Sequence, residues 1–204
     1  MSQLPTPNEC DQLFIDYNVP KNINEHCLAV SGLAVKIAQQ LQKKGIKINI
    51  DLIRAGSRMH DWMKAATFER LKPNKKFNFI PASEEIDQWA KIHERFKGRH
   101  ESEIAYELLK DKYPKLAQFI KTEGGLSADP LKPRDWEEKI VHYADWRVLG
   151  TRIVPLDVRL DDFFARYNKM IIKNGMERWN KIKEVEHQAE KEICTVLDVS
   201  PEEL

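Results

Sequence analysis

A histidine and an aspartate are adjacent at His60 and Asp61, in the first third of the chain. Neighbouring side chains on a helix diverge by roughly 100°, so such a pair ordinarily faces two different environments. At a helix end, however, one cation lying beyond the end can accept an imidazole nitrogen and a carboxylate oxygen together. Because such a pair is common by chance, it indicates a metal centre only if the rest of the chain supplies further ligands.

Two further side chains of ligating type lie on predicted helices. His26 lies near the start of a long amphipathic helix, one residue from its apolar stripe. Asp145 adjoins the apolar stripe of a later helix, and Gly150 follows the end of that helix. An unpaired carboxylate that loses water beside Ile, Val and Ala side chains is destabilising, and a bound cation is one way to compensate its charge.

Each of these residues also has an ordinary structural explanation. A lone histidine such as His26 is most often a helix-terminal residue with a satisfied hydrogen bond. Asp145 could pair with a nearby arginine, for which Arg147 and Arg152 are the candidates. Only the combination of these residues with the adjacent His-Asp pair favours a metal centre.

The elements that must position these residues are predicted to be helices. Apolar residues repeat at intervals of three and four, alternation of period two is essentially absent, and no internal repeat is found, so we expect an all-α domain. Asn8, Asp51 and Ser83 are the predicted N-caps of the first, third and fourth helices. The lysine-rich segment 68–81 contains Pro73 and lacks periodicity, which predicts a long loop.

The predicted helices follow one another along the whole chain. They are a short helix after Asn8, and helices from Asn22 or Asn24 to Gly45, from Asp51 to His60, from Ser83 to His93, from His100 to Leu109, from Pro114 to Gly124, from Trp136 to Val148, from Val158 to Ile172 and from Met176 to Leu197.

The composition is that of a soluble globular protein. The 204 residues suit one domain, with 42% hydrophobic and 32% charged residues. The net charge is only +1, so no global field recruits nucleic acid or a membrane surface, and we expect neither as a partner. Three widely spaced cysteines suit neither a zinc ribbon nor a disulfide framework. With no signal peptide or bilayer-spanning stretch, the expected location is the cytoplasm.

The order of the four candidates resembles the signature of the HD-domain superfamily of metal-dependent phosphohydrolases, which is H, then HD, then D. His26 matches the first histidine, His60 and Asp61 match the doublet, and Asp145 matches the last aspartate. Lys64 falls where many members carry a lysine. The resemblance covers roughly residues 22 to 170 and implies a compact multi-helix bundle, with an accessory C-terminal helix at about 175–197.

The chain departs from the family pattern in two places. Members that hold two metals carry two extra histidines between the doublet and the last aspartate. His100 is similar to the first of these, but residues 119–125 contain no histidine, so we expect one ion unless Glu123 substitutes. Ser57 and Arg58 replace the apolar pair that such helices usually carry before the doublet.

The resemblance implies that His26, His60, Asp61 and Asp145 hold one divalent ion. Two imidazoles and two carboxylates suit Mn, Fe, Co, Ni or Mg, with zinc as a further option. Four protein ligands leave positions of an octahedral ion open for water and a phosphoryl oxygen, and the ion lowers the pKa of that water towards neutrality. Asp61 would both bind the ion and orient the water.

Four side chains are candidates for holding the substrate, namely Lys64, His93, His100 and Arg152. The ordinary alternative for Lys64 is a solvated surface lysine.

The expected activity is hydrolysis of a phosphate ester or anhydride of a small phosphorylated compound, with a nucleotide as the favoured class. The sequence leaves open whether the enzyme is a phosphomonoesterase, a phosphodiesterase or a pyrophosphohydrolase. The alternative is a metal-containing, nucleotide-binding regulatory module with little turnover. The oligomeric state is not indicated.

Overall fold

The computed structural model describes residues 3–68, 79–122 and 134–204, most of which are helical. The prediction of an all-α fold is confirmed. The helices are α1 (Pro7–Asp16), α2 (Lys21–Lys43), α3 (Ile50–Met59), α4 (Ser83–Arg95), α5 (Glu101–Leu109), α6 (Pro114–Thr122), α7 (Trp136–Arg147), α8 (Leu156–Asn174) and α9 (Met176–Leu197), with 3-10 turns at Lys64–Thr67 and Pro201–Glu203.

One small hairpin is the only sheet within the described ranges. Strands β1 (Val148–Leu149) and β2 (Arg152–Ile153) pair in antiparallel orientation directly after α7. Gly150 lies between them with a φ of +65°, a conformation that glycine adopts without steric cost. Two-residue strands show no alternation in the sequence, which explains why the hairpin was not predicted.

Two predicted N-caps are wrong by two residues. Thr6, not Asn8, caps α1, because its hydroxyl accepts from the backbone N–H of Glu9 while the Glu9 carboxylate accepts from the backbone N–H of Thr6, at 2.9 Å. Asn49, not Asp51, caps α3, since its side-chain oxygen accepts from the backbone N–H of the third following residue at 3.0 Å. In each case another residue of capping type lies two positions earlier.

Other predicted boundaries agree more closely with the structure. Gly45, with a φ of +89°, lies just beyond α2, and α9 has its predicted limits. Helix α4 begins at Ser83, but Ala82 occupies the cap position and its backbone N–H donates to Glu85 at 2.7 Å. Most of the loop predicted at 68–81, and the predicted end of the sixth helix at Gly124, lie outside the described residues.

The chain forms two compact units. Unit 1 contains residues 1–28 and 55–124, and unit 2 contains residues 29–54 and 125–204. The prediction of a single domain over 1–204 therefore stays a prediction.

Unit 1 is built around a cluster of buried apolar side chains from α1, α3, α5, α6 and the start of α2. Met59, Trp62 and Met63 belong to this cluster and are at most 2% exposed. They flank the His-Asp pair on both sides, so the apolar core fixes the backbone from which that pair projects. The other large members are Cys10, Phe14, Ile23, Cys27, Phe96, Ile104, Leu109, Tyr113, Leu116 and Ile120.

In unit 2, helices α7, α8 and α9 pack together through aromatic rings. Trp146 of α7 lies 5.0 Å from Phe163 of α8, and Phe163 stacks on Trp179 of α9 with centroids 5.8 Å apart. Tyr167 has non-helical angles, φ −121° and ψ 17°, and kinks α8 at this cluster. The rings thus join the three helices into one packed group.

Acidic residues of α9 also bind α7. Glu186, which is 1% exposed, accepts from Arg134 at 3.2 Å just before α7, and Glu190 accepts from the Tyr143 hydroxyl at 2.7 Å. Burial, followed by the hydrogen bond to Glu190, raises the pKa of Tyr143 above its ordinary range, so the hydroxyl stays a donor. The helix that was expected to be accessory therefore holds the helix that carries Asp145.

All three cysteines are buried free thiols, and burial raises the pKa of Cys10 to about 11. Within the described ranges, no helix has both the length and the apolar character needed to cross a membrane.

Gly56 of α3 lets the backbone approach α6 closely. A Cβ added at Gly56 would lie 2.4 Å from a ring carbon of Phe119, which is only 7% exposed. Gly32 of α2 is also inside a helix, but an added Cβ there would meet nothing within 4 Å. The two glycines are therefore a matched pair for the same substitution.

Gly56→Ala is expected to lower the free energy of unfolding by about 1–3 kcal/mol, because the methyl group overpacks the contact with Phe119. Gly32→Ala should instead raise it by up to about 1 kcal/mol, since alanine has the higher helix propensity. Thermal unfolding followed by circular dichroism would show this as a decrease and an increase in Tm. A Gly56→Ala protein as stable as Gly32→Ala would contradict the packing described for α3.

Candidate metal centre

His60 lies directly after the last residue of α3, and its ring orientation is fixed by the backbone. Nδ1 lies 2.8 Å from the carbonyl oxygen of Ser57. Because a carbonyl oxygen only accepts, Nδ1 must carry the proton. The lone pair of the neutral ring is then on Nε2. A hydrogen bond from the other ring nitrogen to a backbone carbonyl is a usual way in which a protein orients a histidine ligand.

His26, on the second turn of α2, lies beside His60. The ring centroids are 5.5 Å apart, and the ring planes are inclined at 63°. Both rings belong to unit 1 and both are partly buried. The structure thus brings the first and second predicted histidines together.

Asp61 points to the same side as His60 because the chain stops being an α-helix at Met59. The backbone N–H of Trp62 donates to the carbonyl of Met59, and that of Lys64 to the carbonyl of Asp61, so residues 60–63 form tight turns. An Asp61 carboxylate oxygen then lies 3.9 Å from Nε2 of His60. Two atoms bound to one ion at roughly 2.1 Å are about 3–4.2 Å apart, so this separation fits a shared ion.

Lys64 is held between two carboxylates. Its ammonium lies 3.1 Å from Asp61 and 3.0 Å from Glu101. Burial disfavours the charged form, but the negative charges of Asp61 and Glu101 outweigh it and hold the pKa of Lys64 above its ordinary value. Lys64 is therefore a cation paired with two carboxylates, and its side chain is 39% exposed.

Glu101 was not singled out by sequence reasoning. It is the first residue of α5, where an acidic side chain is ordinarily explained by the helix dipole. Its side chain is only 13% exposed, however, and its contact is with Lys64. Its position directly after His100 was the available sequence signal.

His100 caps α5 and has a defined tautomer. Its Nδ1 accepts from the backbone N–H of Ser102, and the Ser102 hydroxyl lies 2.8 Å away from the same nitrogen. In the neutral ring the proton is then on Nε2, which lies 3.7 Å from Glu101. A neutral His100 thus presents an N–H donor, which suits a phosphate oxygen better than a metal ion.

The two remaining candidates for the substrate lie on different elements. His93 is partly buried near the end of α4, with Nδ1 at 2.9 Å from the carbonyl oxygen of Ala66, so its Nε2 carries the free lone pair. Arg152 is exposed on β2, opposite Leu149. His93 belongs to unit 1 and Arg152 to unit 2.

Arg58, which replaces an apolar residue of the family pattern, ties the start of α2 to the end of α3. It is 7% exposed, and its Nη2 donates to Asn24 at 2.6 Å and to Asp11 at 3.0 Å. The guanidinium carbon lies 3.6 Å from the centroid of the Phe14 ring. Asn24 and Arg58 are each two residues before a candidate histidine ligand.

Asp145 is partly buried on α7, in unit 2. The proposed alternative partner, Arg147, donates to the carbonyls of Val154 at 2.6 Å and Pro201 at 3.1 Å and contacts Glu190 at 3.3 Å. These contacts engage Nε and both terminal nitrogens of Arg147, which disfavours Arg147 as the partner of Asp145.

The donor atoms suit a divalent ion. His26 and His60 offer imidazole nitrogens and Asp61 a carboxylate, and all three side chains are partly buried in unit 1. Nitrogen and oxygen donors without a thiolate are those preferred by the borderline and hard divalent metals. Glu123, the candidate substitute for a second-metal ligand, lies outside the described residues.

The profile of the HD domain family matches residues 23–147, more than half of the 204 residues. The chain belongs to the HD domain family. The family assignment made from the motif order is thereby confirmed, and the matched region includes all four candidate ligands and Lys64. Helices α8 and α9 of this HD-domain protein lie beyond it.

Two relatives come from Methanocaldococcus jannaschii. An uncharacterized protein is 29% identical over 154 residues, which cover 76% of this chain and 80% of the relative. Dihydroneopterin 2′,3′-cyclic phosphate phosphodiesterase is 27% identical over 175 residues, which cover 79% of this chain but only 64% of that enzyme. No solved structure gives a significant match.

Arg58→Ala is expected to lower the free energy of unfolding by about 1–3 kcal/mol, because Asn24 and Asp11 lose their buried donor. The control is Arg54→Ala, on the same helix, where an arginine whose side chain is 40% exposed pairs with Asp51. Arg54→Ala should lower the free energy of unfolding by at most about 1 kcal/mol. Urea denaturation of the two variants measures both changes. Equal midpoints for the two variants would show that Arg58 does not tie α2 to α3.

Proposed function

We propose that this HD-domain protein is a metal-dependent phosphohydrolase that acts on a phosphate ester or anhydride of a small phosphorylated compound. The observation that carries the proposal is the 3.9 Å separation between Nε2 of His60 and a carboxylate oxygen of Asp61, with the ring of His26 beside them. Membership of a family of phosphohydrolases supports the same conclusion.

The proposed ligands of a single divalent ion are His26, His60, Asp61 and Asp145. Mn, Fe, Co, Ni and Mg suit this donor set, and zinc is a further option. Such an ion supplies Lewis-acid stabilisation of phosphoryl charge and a water of lowered pKa. The donor tautomer of His100 supports one ion rather than two, because its Nε2 would have to lose a proton to become a ligand.

The remaining residues would act on the substrate and the attacking water. Asp61 can accept a hydrogen bond from water and so orient it for attack. Lys64 has three N–H donors, and Asp61 and Glu101 take two, which leaves one for a phosphoryl oxygen. His100 would donate from Nε2 to another oxygen, as would His93 when protonated. Arg152 stays a proposed substrate residue on the basis of its charge alone.

For the substrate, we propose a small phosphorylated compound, with a nucleotide as one candidate. One relative is named for its action on a cyclic phosphate. A cyclic phosphate is a phosphodiester, which favours this class for the present chain among those left open by the sequence.

A regulatory module that binds metal and nucleotide but turns over slowly is the second candidate function. The observation that favours it is the absence of a histidine from residues 119–125, where a second metal ligand is expected. A protein that binds metal but is inactive on every class of phosphate ester would support it.

Asp61→Ala is expected to abolish metal-dependent hydrolysis and to weaken metal binding, because one group is both ligand and water-orienting base. Lys64→Ala should keep the metal but lose about 30- to 1000-fold in kcat, or about 2–4 kcal/mol, if its contact tightens in the transition state. Metal content and phosphate release, measured on the same preparations, separate the two effects.

His187→Ala is the control, since His187 lies exposed on α9 and pairs with Asp157. It should keep both the metal and the activity. Hydrolysis that survives both Asp61→Ala and Lys64→Ala would overturn the proposed mechanism.

A further inference from the structure

Lys64 is surrounded by more negative charge than it can neutralise. Its one positive charge lies 3.1 Å from Asp61 and 3.0 Å from Glu101. One of these carboxylates has a separate function in the proposed site, since Asp61 is a metal ligand. Glu101 has no such role, and its side chain is only 13% exposed, so water screens its charge poorly.

The other neighbour of Glu101 does not remove this charge. Nε2 of His100 lies 3.7 Å from the second carboxylate oxygen, and the ring is held as an N-cap through Nδ1. In its neutral form His100 contributes a donor and no charge. A phosphate group that reaches Lys64 therefore meets the field of a carboxylate as well as that of the ammonium.

We propose that Glu101 is a specificity-determining residue that selects phosphodiesters over phosphomonoesters. The inference rests on the proposed function, in which Lys64 binds the phosphoryl group. A phosphodiester carries one negative charge, whereas a phosphomonoester carries nearly two at neutral pH because its second pKa is about 6. Glu101 repels both kinds of ester, but the second negative charge of the monoester nearly doubles that repulsion, so the charge of Glu101 disfavours the monoester.

The size of the effect follows from Coulomb's law. One additional unit charge about 5–6 Å from a partly screened carboxylate changes relative kcat/KM by about 10- to 100-fold, after allowance for solvent. A purely structural ion pair makes a different prediction. If Glu101 only orders Lys64, removing its charge should affect diesters and monoesters alike and leave their ratio unchanged.

The test uses two chromogenic esters with the same leaving group, bis(4-nitrophenyl) phosphate as the diester and 4-nitrophenyl phosphate as the monoester. The Mn²⁺-loaded wild type is compared with Glu101→Gln and with a second uncharged variant, Glu101→Ser, each checked for folding by circular dichroism. Both variants should raise the monoester-to-diester ratio of kcat/KM by about 10- to 100-fold. Glu101→Asp, which keeps the charge, should restore the wild-type preference.

Glu107→Gln is the matched control, because Glu107 is on the same helix and pairs with Lys110 at 2.8 Å, but is 50% exposed. It should leave the ratio at the wild-type value. If the Glu101→Gln and Glu101→Ser proteins are active and the ratio is unchanged, Glu101 does not determine the preference, and the proposed function is unaffected. A metal-loaded wild type that hydrolyses neither ester would instead overturn the proposed function on which the inference rests.

Discussion

The helical path of α3 ends at Met59, and the orientation of the candidate site in unit 1 depends on that break. Had the helix continued, His60 and Asp61 would diverge by roughly 100°. The turns that follow instead bring their donor atoms within 3.9 Å. Burial of Met59 before the pair, and of Trp62 after it, anchors both ends of this irregular segment in the core. Apolar packing thus compensates for the loss of regular helical hydrogen bonds.

In unit 2, the helix that carries Asp145 is held in place by residues outside the region that matches the family. Glu186 and Glu190 of α9 bind groups on or next to α7, and stacked rings join the same helices. A buried carboxylate such as Glu186 persists only when it is paired, because losing its partner would leave an uncompensated charge. Helix α9 is therefore part of the support of α7 rather than an appendage.

Helical periodicity made most of the fold predictable, since an amphipathic stripe marks a helix regardless of its neighbours. Caps were less predictable because Asn49 and Asp51 are equally good capping residues, and only three-dimensional structure decides between them. In the candidate site, residue type and order predicted the proposed ligands, of which His26 and His60 lie side by side in unit 1. The contact of Glu101 with Lys64 could not be predicted, because the two residues are 37 positions apart and no local sequence pattern indicates a contact between them.

We propose that His26, His60, Asp61 and Asp145 bind one divalent ion per chain. Calorimetric titration of metal-free protein with Mn²⁺ tests it most directly, with wild type and His60→Ala compared under the same conditions. We expect one site per chain in the wild type and an affinity about 10- to 100-fold lower in His60→Ala. Two comparable sites per chain, or undiminished binding by His60→Ala, would contradict it.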